Sequence, residues 1–179
     1  MSDTVFVAFA SQKGGSGKST LTALAASYLY YLDGVDVLVM DCDSRQHTQK
    51  DYRDNDKRVT KENPAINKTF TKFYTKFNKR PYKIIYSTPG AAVDDAEEYV
   101  RQNPEVKVVL FDITGTINDL EIVNLISSMH YLLVPISPDT GDLKSSLRFA
   151  VNVKERMIDS GDTSIKDMKL VWNRVPGRQ

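Results

Sequence analysis

Short apolar runs alternate with amphipathic stretches along the whole chain. The runs at Val5–Ala10, Val35–Met40, Tyr82–Ser87, Val106–Asp112, Tyr131–Ile136 and Lys169–Trp172 have strand length and are rich in β-branched or aromatic residues. Between them lie stretches with helical spacing. Leu21, Leu24, Ala25, Tyr28, Leu29 and Leu32 predict a helix over 17–32 that buries these residues on one face, with Asp33-Gly34 as its stop. A polar helix is expected over 46–60, broken at Asn63-Pro64, and Ile66, Phe70, Phe73, Tyr74 and Phe77 then mark an amphipathic helix whose aromatic stripe is expected to serve the core. Further helices are predicted over 91–102, 119–129 and 142–158, the last with Leu143, Leu147, Ala150, Val151 and Lys154 on one face. Strands that alternate with helices predict a doubly wound α/β fold: a mostly parallel sheet of about six to seven strands with helices on both faces.

At 179 residues the chain fits one domain with a substantial core, and no internal repeat or low-complexity tract divides it. No apolar run reaches the roughly 18 residues of a membrane span, and the start, with Asp3, lacks a basic signal-peptide region, so a cytoplasmic protein with no membrane segment is expected. Cys42 is the one cysteine, which excludes an internal disulfide and fits a packing role at a strand end. His47 and His130 have no cysteine or carboxylate at ligand spacing and are not read as metal ligands.

The net charge of +1 hides a local imbalance. Residues 50–83 hold eleven Lys/Arg against four Asp/Glu, interleaved with Tyr52, Phe70, Phe73, Tyr74, Phe77 and Tyr82. Such a segment suits either a nucleic-acid or acidic partner, with Lys72, Lys76 and Lys79 as candidate contacts, or a solvated helical face whose aromatics turn inward.

The clearest chemistry lies directly after the first strand, in Lys13-Gly14-Gly15-Ser16-Gly17-Lys18-Ser19-Thr20. Three closely spaced glycines let consecutive backbone N–H groups converge, and a helix N-terminus just beyond adds its partial positive charge, which makes a phosphate cradle. The general phosphate-loop pattern would place a glycine at position 12, where Gln12 stands, and the loop carries a second lysine instead. Two later strands end in acids. Asp41 and Asp43 follow the second, and Asp112 closes the run from Val106, so carboxylates are expected beside the loop at the carboxyl edge of the sheet, where Mg²⁺ lowers the cost of gathering negative charge. Hydroxyls of Thr114 and Thr116 are expected at the same edge, while Asp139 and Asp142 read as helix caps.

The eight loop residues resemble the deviant phosphate loop of the ParA/MinD-type ATPases, and with Asp41, Asp112 and Asn173 the resemblance extends over nearly the whole chain. It implies a single ATPase domain over 1–179 that lacks the C-terminal helices of relatives. It further implies that the backbone of Gly14, Gly15, Ser16, Gly17, Lys18, Ser19 and Thr20 holds the phosphates of ATP, with Lys18 on the β- and γ-phosphates and Thr20 at the α-phosphate. Ser19 would bind Mg²⁺ directly and Asp112 through water, Asp41 would orient the attacking water, and Asn173 would pair with the adenine base. Lys13 would reach the nucleotide of the opposite subunit, so that an ATP-dependent homodimer forms the active site. The implied function is a slow ATP-driven switch in plasmid or conjugative-element DNA partition, with non-specific DNA and a stimulating protein as partners. Two alternatives stand beside it: a phosphate-loop kinase for a small molecule, against which Lys13 argues, and a non-enzymatic module ordered by nucleotide, against which Asp41 argues.

Overall fold

The computed structural model describes residues 4–43, 48–78, 80–113 and 119–176. His47, Lys79, Thr114 and Thr116 lie outside these, as does the side chain of Phe77. Strands β1 (Val5–Phe9), β2 (Val37–Asp41), β3 (Lys83–Tyr86), β4 (Val108–Asp112), β5 (Tyr131–Ile136) and β6 (Asp167–Trp172) are joined through helices α1 (Lys18–Ser27), α2 (Thr48–Glu62), α3 (Pro64–Phe77), α4 (Ala92–Gln102), α5 (Leu120–Ser127) and α6 (Thr140–Val153). π-Helical turns at Tyr28–Leu32 and Lys154–Ile158 continue α1 and α6. The α2–α3 break follows from its sequence: Asn63 accepts hydrogen bonds from the amides of Ala65 and Ile66, and Pro64 occupies the first turn where no donor is needed.

The six strands form one sheet in the order β3-β2-β4-β1-β5-β6, and every neighbouring pair is parallel. The expected doubly wound α/β architecture is therefore present, with a wholly parallel sheet. Alternation along the strands supplies two cores. Phe6, Ala8, Leu38, Met40, Val109, Phe111, Leu132 and Val134 face α4, α5 and α6, while Val37, Val39 and Leu110 pack with Ala26 and with Tyr30 and Tyr31 of the first π-helical turn. Cys42 is buried in the first of these cores, and burial pushes its thiol pKa up, so it is an inert packing group.

The helix faces differ from those the spacing predicts. Along α1 and its π-helical turn the fully buried residues that meet the sheet are Thr22 and Ala26; of the expected face Ala25 and Leu29 pack half-buried against the same core, while Leu24 and Leu32 are 61% and 72% exposed. Small side chains let this helix lie close to the strands beside the loop it springs from, which turns Leu24 and Leu32 outward. On α6 the buried set is Ser146, Phe149, Ala150 and Val153; Leu147 and Val151 are exposed, and Lys154 pairs with Asp159. The aromatic stripe of α3 also departs from expectation. Phe70 is exposed, Phe73 and Tyr74 are only half-buried, and the stripe borders the core through Tyr31 and does not enter it.

Candidate functional site

Parallel register sets the acids of the site side by side. Asp41 is the direct neighbour of Asp112 across β2 and β4, and Asp112 is in turn opposite Phe9, from which the loop departs. The loop closes on itself through Ser11, whose hydroxyl lies 2.6 Å from that of Ser16 and donates to the Lys13 carbonyl at 3.3 Å. Gly15 and Gly17 hold φ of 73° and 88°, a conformation that side chains resist, and Gly17 is the N-cap of α1. Lys18 is buried. Its ammonium donates to the Lys13 carbonyl at 3.1 Å and contacts the Ser11 hydroxyl at 3.5 Å, so it points back into the loop. Burial holds its pKa below the usual lysine value, against the pull of Asp112 and Asp43.

Behind the loop the acids are tied into one network. Ser19 donates to Oδ1 of Asp112 at 2.9 Å, and Gln49 donates to Oδ2 at 2.7 Å and to the Ser19 carbonyl at 2.9 Å. The Gln49 backbone N–H reaches Asp41 at 3.2 Å, and that of Asp43 reaches the other Asp41 oxygen at 3.2 Å. Burial raises the Asp112 pKa to about 6; the Gln49 and Ser19 donors oppose the rise, and the nearby Asp41 and Asp43 charges add to it. A cation at this point would relieve the cost of the buried charge, and the hydroxyl and carboxylate oxygens of Ser19 and Asp112 are the hard donors that suit Mg²⁺.

The remaining predicted residues sit around the mouth of the loop. Thr20 shares a hydrogen bond of 3.0 Å with the hydroxyl of Tyr52. Asn173 follows β6 directly and donates from Nδ2 to the Ser16 carbonyl at 2.9 Å, while its Oδ1 accepts from the Arg174 amide at 2.9 Å. One amide hydrogen and one lone pair remain to it. Lys13 turns outward, with its side chain 52% exposed, and pairs with Asp142 of the same chain. Asp139 caps α6 by accepting from the Asp142 amide at 2.9 Å, as the sequence predicts, whereas Asp142, also expected as a cap, lies in the first turn and gives its carboxylate to Lys13 and Ser137. No motif in the sequence marks Gln49, Ser11 or Arg174, whose guanidinium donates to the Gly15 carbonyl. Gln49 lies in a strongly polar helix and carries no motif; its one signal is its position shortly after the acid that ends β2.

The model of the CobQ/CobB/MinD/ParA nucleotide binding domain matches residues 7–179. The chain belongs to this family. Its members of the ParA/MinD type are phosphate-loop ATPases. Among solved structures, a plasmid partition protein from Borrelia burgdorferi is similar, with 17% identity and a TM-score of 0.60 over 98% of this chain and 81% of that one. The MinD cell division protein of Aquifex aeolicus has 19% identity and a TM-score of 0.61, covering 96% and 70% of the two chains. A pNOB8 ParA bound to nonspecific DNA has 17% identity and a TM-score of 0.55, covering 86% and 61%. At these identities the likeness is one of fold. A comparison with curated proteins finds no match. Among the described residues no helix is long and apolar enough to cross a membrane.

Proposed function

We propose that the chain is a Mg²⁺-dependent ATP-hydrolysing switch whose active site is completed by a second copy, and that it acts in DNA partition or mobile-element maintenance. The observation that carries this reading is the meeting of the positive-φ glycine loop and buried Lys18 with Ser19, Asp112 and Asp41 at one sheet edge. In this reading the amides of Gly14 to Thr20 and the Lys18 ammonium hold the phosphates. Ser19 and Asp112 hold the metal and its water shell, and Asp41, fixed by the amides of Gln49 and Asp43, orients a water for in-line attack. Mg²⁺, when bound, supplies charge neutralisation on the phosphates. Asn173, already over the loop, has hydrogen-bonding capacity left for the base.

Lys13 supports the two-copy part of the reading. Its ammonium is exposed and stands outside the loop that Lys18 fills, which is compatible with a role towards a nucleotide other than its own. The basic α2–α3 segment and the DNA-bound ParA among the similar folds support a nucleic-acid partner, and the similar MinC:MinD complex supports a protein partner. The test is molar mass by light scattering with Mg²⁺, comparing no nucleotide, ADP and ATP in an Asp41→Ala background that stops turnover. Doubling with ATP alone is expected. A mass indifferent to nucleotide would sink the shared active site.

A further inference from the structure

A cleft of about 580 Å³ between α2, α3 and the π-helical turn after α1 has no part in the ATPase reading. Its aromatic wall is Tyr31, Phe70, Tyr74 and Tyr82. Phe70 and Tyr74 are stacked, with centroids 6.0 Å apart and planes 22° from parallel, and Tyr31 meets Tyr74 edge-on at 6.2 Å. The Arg53 guanidinium lies 4.7 Å above the Tyr82 ring. Arg53, Lys57 and Lys61 bring cations to the same cleft, against Asp56 as the one acid among its described lining residues. Lys57 is drawn towards Asp54 at 3.1 Å, whereas Lys61 forms no ion pair among the described residues. The aromatic stripe of α3 is thus left at the surface, with Phe70 40% exposed, inside the most basic part of the chain.

We propose that this cleft takes an unpaired base of a nucleic-acid strand, stacked on the Phe70–Tyr74 pair, with the flanking phosphates on Lys57 and Lys61. Aromatic platforms edged by cations are what single strands require, since every base offers a π-face once it leaves the duplex stack. In a duplex the base faces are covered, so only the cations would be used. An acidic peptide would likewise use the cations and leave the rings idle. The proposal rests on the nucleic-acid part of the reading above and deepens it by naming the state of the strand.

The test uses the full chain without nucleotide and follows the anisotropy of a labelled oligothymidylate of about 15 nucleotides, with a duplex of the same length alongside. Phe70→Ala removes an exposed ring and should weaken strand binding at least about fivefold while leaving the duplex within about twofold. Phe70→Trp should restore strand affinity, with its added fluorescence quenched on binding. Lys61→Glu should weaken both ligands and reduce the salt slope for the strand by about 0.7 or more. Strand affinity unchanged in Phe70→Ala would overturn the proposal. So would displacement of the strand by polyglutamate as readily as by unlabelled strand. Failure here with ATP-driven mass doubling retained would leave the switch standing, and strand binding without mass doubling would remove the switch alone.

Discussion

The Lys13 ammonium is ion-paired with the Asp142 carboxylate, which ties the glycine loop to the first turn of α6 across 129 positions of chain. The other oxygen of Asp142 accepts from the Ser137 hydroxyl at 3.1 Å, so the carboxylate is held from two sides. A Lys13 that serves a second subunit must first leave this partner. Asp142→Asn is therefore expected to lower the protein concentration at which ATP drives dimer formation, by roughly threefold, as for an exposed ion pair. Sedimentation across a concentration series reads this directly, and an unmoved midpoint would mean that the pair does not compete with assembly. Hydrogen bonding to Lys13 holds the Asp142 pKa below 3.8, and its partner's is held above 10.5, so the contact persists between those values and gives no titration near neutral pH.

The two loop lysines should fail in different ways. Lys18→Ala removes the buried ammonium from within the loop, and both ATP affinity and turnover should fall, the latter at least about a hundredfold. Lys13→Ala leaves the loop interior intact. Such a chain should still bind ATP as a monomer, measured by titration calorimetry, yet show neither hydrolysis nor mass doubling. Wild-type turnover in either variant would refute the assignment.

Asp112 gives a pH dependence whose sign is set by burial. Its folded value of about 6 exceeds the ordinary 3.8, so between those values the folded protein binds more protons than the unfolded chain, and stability falls as pH rises through this window. Asp112→Asn removes that slope. Without nucleotide the variant should match wild type near about pH 4 and exceed it by roughly 1–3 kcal/mol near about pH 7.5. Urea midpoints of both proteins at the two pH values decide it. A variant less stable at the higher pH would show that Asp112 is favoured as the charged form.

Most of this frame can be read along the chain, because it rests on local signals. Apolar runs that end in Asp41 and Asp112 mark strands and their carboxyl edge, and parallel register then sets those acids beside the loop. Faces are harder. Leu147 and Val151 have the spacing of a core stripe, yet Phe149 and Val153, at the same spacing and shifted by two positions, are the ones buried. Periodicity fixes the angle between residues and leaves the rotation of the helix to packing. Gln49 was hidden for a different reason: a glutamine in a helix of mean character as polar as α2 reads as surface until the sheet edge closes over it. Asp142 was visible as part of a helix start, but a partner 129 positions away lies beyond any local pattern.

Gly17 and Asn173 should be energetically coupled. A Cβ on Gly17 would lie 2.5 Å from Nδ2 of Asn173, and the residue's φ of 88° opposes any L side chain independently of that contact. Gly17→Ala must therefore both strain the N-cap of α1 and push Asn173 off the Ser16 carbonyl, at a combined cost of about 2–4 kcal/mol. Asn173→Ala alone forfeits one hydrogen bond to the loop, about 1 kcal/mol. In the double variant the clash is gone while the φ strain remains, so its loss should be smaller than the sum of the single losses by about 1 kcal/mol. Thermal denaturation of the four proteins closes the cycle. Strict additivity would mean that the asparagine does not rest on the loop in solution.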